Sequence, residues 1–171
     1  QLIGELGTII SFTGIGAGPH HNLLAGSDLD VDSLTFNSGA GHFRGTVNIA
    51  DTINSNGGTY YFEPGANIFS YGRSVIVSGT PTGNSGTLHF LAPADPFFEF
   101  ESVTVGQGFG NANAHFNSNQ PFNIQDMNMI AGRIQGNSPI NVHGNLSWNK
   151  GGFLTGGDVT AHGPIVLQVP N

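Results

Sequence analysis

The feature that most constrains this sequence is a short word that keeps returning. Ser74-Val-Ile-Val77 and Ser102-Val-Thr-Val105 are nearly identical, and two apolar residues in alternation recur at Leu34/Phe36, Met127/Met129 and Leu146/Trp148. A second pattern follows, usually after Gly and Asn, at Phe43, Leu88/Phe90, Ala114/Phe116, Ile134 and Val159/Ala161. A third, often opened by Pro, falls at Val47/Ile49, Ile68, Phe98/Phe100, Phe122/Ile124, Ile140/Val142 and Ile165/Leu167. Ile53 and Tyr60/Phe62 supply the first two patterns of an additional repeat. Alternation at period two means a strand with one face inward.

Three short strands per repeat, in constant order and separated by turn residues, predict an all-β parallel β-helix. In this β-solenoid, about six three-strand coils stack like on like, and none of them can bury its apolar face alone. The first strands recur at intervals of 28, 24 and 19 residues from Val75 to Val103, Met127 and Leu146, so the coils differ in loop length. The rival is a β-sandwich, which also shows short alternating strands. The constant strand order and the Pro or Gly at the opening of the third strand (Pro64, Pro96, Pro121, Pro139, Pro164) favour the solenoid.

Composition excludes several function classes. The 171 residues hold only 4 Lys plus Arg against 11 Asp plus Glu, a net charge of −7. Four basic side chains cannot neutralise a phosphate backbone, so no nucleic-acid partner is expected. No apolar run approaches the ~20 residues of a spanning helix, and no membrane insertion is expected. Cysteine is absent, so disulfides contribute nothing. The 27 Gly and 9% charged residues, with abundant Asn, Ser and Thr, suit an extracellular or cell-surface location.

The segment His143-Gly-Asn-Leu-Ser-Trp-Asn-Lys-Gly-Gly-Phe-Leu-Thr-Gly-Gly-Asp-Val-Thr-Ala-His-Gly163 resembles a repeat of large secreted bacterial proteins. That repeat, Gly-x-apolar-x-Trp-x-x-Gly-x-apolar-x-Gly-x-Gly-x-apolar, occurs in adhesin-like and autotransporter-passenger-like solenoids. The match covers about 30 of the 171 residues, with Gly157-Asp158 where a second small residue is usual. The resemblance implies an extracellular structural or adhesive role and names no ligand.

Residues 1–26 break the pattern and read as an N-terminal strand and linker or cap, with the solenoid over 27–171. Leu6-Gly-Thr-Ile-Ile-Ser-Phe-Thr-Gly14 reads as one strand and 14–21 as a flexible link. The strand either caps the solenoid or pairs with a neighbouring subunit. Pro164 to Asn171 begins a third strand and stops. Such an uncapped end is expected either to continue into flanking coils of a longer chain or to stack on a second copy. Self-assembly end to end would then run through Leu6, Ile9, Ile10, Phe12, Ile165, Leu167 and Val169, with loops 52–58, 80–86 and 106–113 on display.

Candidate chemistry is sparse. Asp28, Asp30 and Asp32 share one strand face, where like charges repel and Ca²⁺ is the cation that would relieve them; the alternative is a solvated acidic edge. No other cofactor is expected. Glu99 and Glu101 lie on one face with Asp95 nearby, a pair suited to acid and base in glycoside cleavage or to holding a glycan. Tyr61 and Tyr71 are the expected exposed rings, so Glu99, Glu101 and Tyr71 make the alternative carbohydrate site. The plainer expectation is a surface ion pair between Glu101 and Arg73, one coil below. His42, His89 and His115 each precede a Phe and point outward, His89 and His115 from adjacent coils, as exposed polar residues or as ligands to a transition metal. His20-His21 is a second pair in an expected loop. No nucleophile motif is present, and the chain is not expected to be an enzyme.

Overall fold

The computed structural model describes residues 2–3, 9–13, 20–80, 83, 85–108, 112–149 and 153–168. It is a β-solenoid of about seven turns, with no helix among the described residues. Apart from one isolated antiparallel bridge, Gly79 to Ser85, every described pairing is parallel, which removes the β-sandwich with its antiparallel sheets.

One sheet is built from seven strands, one per turn: His20–Leu23, Ala40–Phe43, Gly58–Phe62, Gly86–Phe90, Asn113–Phe116, Arg133–Gly136 and Phe153–Gly156. The other carries the remaining two-thirds of each turn. There Asp28–Phe36, Thr46–Ser55, Glu99–Gly108 and Phe122–Met129 each run as one long strand, while Asn67–Tyr71 with Ser74–Gly79, and Ile140–Val142 with Leu146–Trp148, are split. The long strands bend because their alternation skips a beat. Leu29, Val31, Leu34 and Phe36 are buried, with Asp32 and Ser33 both outward between them. Ala50-Asp51 and Gln125-Asp126 do the same in their own turns. Each skip turns a corner and gives the three-sided coil the sequence predicts.

Columns of like residues form the core. Leu34, Ile53, Val75, Val103, Met127 and Leu146 stand in register, one per turn. So do Phe43, Phe62, Phe90 and Phe116, whose rings stack at 5.1, 5.7 and 5.0 Å. Burying each ring contributes about 1.5–3 kcal/mol. Outside, amides and hydroxyls bond along the stack: Asn56 to Asn37, Asn141 to Asn123, and Ser74 with Ser102.

At the two ends the structure refines the sequence reading. The turns number about seven because the described residues of 1–26 already pair as a coil: Leu2–Ile3 with Leu29–Asp30, Ile9–Phe12 with Ser33–Phe36, and His20–Leu23 with Ala40–Phe43. Ile9–Phe12 therefore has an internal partner, with Phe12 stacked on Phe36 at 5.5 Å, and His20–Leu23 is strand where a link was expected. Val159–Ala161 pairs with Ile140–Val142, which makes it a third-pattern strand. Ile165–Leu167 pairs with Leu146–Trp148 and is a first-pattern strand. The second strand of that turn is Phe153–Gly156, where Gly136 and Gly156 occupy the Phe column. Gly136 has φ +135°, and a Cβ there would sit 2.0 Å from the Phe116 carbonyl oxygen, so no ring stands at that column position.

Candidate functional site

The sequence-named residues fall on separate faces. Asp28, Asp30 and Asp32 lie along one edge of the N-terminal turns. Among the described residues no three acids or histidines converge on a metal position, and Asp30 instead accepts a hydrogen bond from Asn48 Nδ2 at 2.9 Å. Ile9, Ile10 and Phe12 sit in the first turn, and Ile165 and Leu167 in the last described one; Leu6 and Val169 lie outside the described residues. Loop 52–58 is not a projecting loop, because 46–55 is strand. In the other two expected loops, 81, 82, 84 and 109–111 lie outside the described residues.

The outward histidines form a ladder that the sequence shows only in part. His42, Tyr61, His89 and His115 are in register in four successive turns, with ring centroids 4.8, 4.3 and 4.1 Å apart and planes within 15°. Tyr61 fills the turn between His42 and His89. The rings cover one another's faces and show their edges to solvent. Burial lowers the His89 pKa to about 4, helped by the neighbouring His115 and opposed by Glu63; burial lowers His115 as well. His42 Nδ1 pairs with Glu63 at 2.5 Å. Beyond the expected loop, His21 lies in a strand, against Phe12 at 4.8 Å, with its Nε2 buried and without a partner.

Among the described residues, chemistry and shape meet at the corner near residues 97–101. Phe97 lies in the turn before the strand Glu99–Gly108, and Glu99 and Glu101 point outward from that strand with Phe100 buried between them. Arg73 Nε lies 3.3 Å from Glu101 Oε1, the cross-coil pair the sequence predicts. Glu99 lies 4.0 Å from His143 Nε2. An open cleft of about 510 Å³ is lined by Ala50, Ser70, Arg73, Phe97, Phe98, Glu99, Glu101 and Gln125. It follows the corner row, which is why side chains from four turns reach it.

Tyr71 is not in the cleft. It is fully buried, 0% exposed, and its hydroxyl donates to the Ala92 carbonyl at 2.6 Å. Burial raises its pKa well above the ordinary tyrosine value. The expectation of an exposed ring fails because Tyr71 falls on the inward beat of Asn67–Tyr71, beside Phe62, Phe90 and Phe100. Its role is to hold the loop at 91–98 from beneath. Phe97 is the exposed ring, at 96%. The sequence carried a signal for it: Pro93-Ala-Asp-Pro96 is a turn-rich run, and Asp95 builds the turn by accepting from the Phe97 N–H through Oδ1 and from the Phe98 N–H through its carbonyl.

No protein-family model, no curated protein and no solved structure matches this chain. The solenoid is therefore established by its own geometry. In that geometry the words of the 143–163 repeat become the strands 146–148, 153–156 and 159–161.

Proposed function

We propose that this chain is an extracellular structural module, a β-solenoid rod segment that extends end to end and displays surface features for adhesion. The observation that carries the reading is the last described layer. Ile165 and Leu167 continue the inward columns above Leu146 and Trp148, yet they are 58% and 67% exposed, while Leu146 is 5% exposed. Among the described residues nothing covers that layer. Its strand edge offers unpaired N–H and C=O groups at the coil spacing, the template a further coil needs. The low charge and polar, glycine-rich composition support an extracellular setting, and the resemblance of 143–163 to secreted repeats supports an adhesive one.

The reading assigns no reaction and no cofactor, with a second copy of the chain or flanking coils as the partner. Negative-stain electron microscopy and sedimentation velocity over a concentration series test it. Rods that lengthen with concentration are expected, and I165D/L167D should abolish the lengthening while leaving the circular-dichroism spectrum unchanged. Monodisperse particles of one-chain mass at every concentration would overturn end-to-end assembly.

A further inference from the structure

The geometry points to a saccharide-binding site on the corner at Phe97, for a neutral pyranose oligosaccharide. The inference is independent of end-to-end assembly and rests on three observations.

The first is how Phe97 is held. A phenyl ring at 96% exposure is usually the tip of a loose loop, but this loop is tied at each step. Ala94 bridges to Ile68 in the turn below. Ala92 is buried and takes the Tyr71 hydroxyl. Asp95 closes the turn before Phe97. Phe98 packs edge-on against Phe100 at 4.8 Å. A loop held in place loses little backbone entropy on binding, which makes the ring it presents an effective anchor.

The second is what stands beside it. Glu99, Glu101, Arg73 and Gln125 supply acceptors and donors around the same cleft. An apolar ring face beside a fan of carboxylate, guanidinium and amide groups matches a pyranose, which has C–H groups on one face and hydroxyls around its rim. The Arg73–Glu101 pair uses one oxygen of Glu101 at 3.3 Å, leaving acceptor capacity for hydroxyls.

The third is charge. Two carboxylates meet one guanidinium in the cleft, so the local balance is negative. A uronate or other acidic sugar would bring like charge against Glu99 and Glu101, and neutral sugars are selected. The cleft is open and lies on a corner row that repeats along the axis, so it accepts a short internal stretch of a longer chain.

Saturation-transfer NMR on the intact chain tests this with cellotriose, maltotriose, mannotriose and chitotriose as neutral probes and trigalacturonate as the acidic one. At least one neutral trisaccharide should show transfer. F97A should weaken its binding by at least about tenfold, the loss expected for one aromatic anchor, with no change in Tm, since the ring supports nothing in the fold. Trigalacturonate should give no transfer. Silence from all four neutral probes, unchanged binding by F97A, or equal binding of trigalacturonate would each overturn the assignment.

Discussion

The middle of the solenoid and its C-terminal turns follow one plan at two gauges. In the middle, Val75 pairs with Val103, 28 residues on, and Phe90 and Phe100 of that turn cluster with Tyr71 of the turn before and Phe122 of the turn after. At the C-terminal end, Leu146 pairs with Ile165, only 19 residues on. The column that reads Phe43, Phe62, Phe90, Phe116 continues as Gly136 and Gly156. Turn length does not decide this, since Leu34 and Ile53 also pair 19 residues apart and that turn buries Phe36 and Phe43. The residue at the column position does: rings fill the coil in one region and, at glycine, backbone approaches backbone with no room for a Cβ in the other. The same parallel ladder therefore draws its stability from apolar burial in one region and from close backbone stacking in the other.

The sharpest way to break this contrast is to remove a ring from the wide region. Phe90→Ala, with Phe62 at 5.7 Å and Phe116 at 5.0 Å on either side, should cost about 3–5 kcal/mol in urea unfolding. A loss below about 1 kcal/mol would show that the column does not carry the middle turns. The complementary test adds an atom to the narrow region. Gly136→Ala places a Cβ 2.0 Å from the Phe116 oxygen at φ +135°, and should cost about 1–3 kcal/mol. Gly65→Ala, where a Cβ meets nothing within 4 Å, should be close to neutral by the same measurement.

How far the sequence revealed each region follows from the same contrast. The turns with Val, Phe and Tyr at the inward beats were legible, including the extra one at Ile53 and Tyr60/Phe62, because alternation of bulky apolar residues is the strand signal. Phe153–Gly156 was missed as the second strand of its turn: with glycine at the ring column its signal is Leu154, in register with Ile134, and Val159/Ala161 offers a cleaner alternation just after it. That omission shifted Val159/Ala161 and Ile165/Leu167 by one strand each. The alternation of Asp28, Asp30 and Asp32 with Leu29 and Val31 was legible as two faces of one strand, and Leu29 and Val31 are the buried ones. In the candidate site, the Arg73–Glu101 pair was readable from coil alignment. Which tyrosine faces out was not, because it depends on where each corner falls. Phe97 was hidden in a Phe-Phe dipeptide whose two rings have opposite fates.

A further prediction concerns the outer ladder, which runs over the same turns as the ring column. Burial, together with His115, holds the folded pKa of His89 at about 4, with Glu63 pulling the other way, against about 6.5 in the unfolded chain. The unfolded chain takes up the proton first, so this contribution is fully present above pH 6.5 and is lost as pH falls toward 4. After discounting for solvent screening, the loss is about 1 kcal/mol. Thermal melts at pH 7 and pH 4.5 should show a lower Tm in acid, and H89Q should reduce the difference. An unchanged pH slope in H89Q would place the acid sensitivity elsewhere.

The smallest effect belongs to the surface of the same turns. Arg73→Ala removes an exposed ion pair and should change stability by about 0–1 kcal/mol, less in high salt. A larger loss in chemical unfolding would mean that the corner charges, and not the rings beneath them, hold the wide coil together.

The uneven gauge has a mechanical consequence. Tension applied to the two ends of a stacked coil pulls its turns apart one after another, because the hydrogen bonds between turns run along the axis. Each released turn lengthens the chain by about 3.4 Å per residue. The narrow turn between Leu146 and Ile165 would give up about 65 Å, and the wide one between Val75 and Val103 about 95 Å. A rod built this way yields first where glycines stack and last where rings interlock. Under such a load it would act as a graded extensible tether, with its strongest grip in the turns that present Phe97.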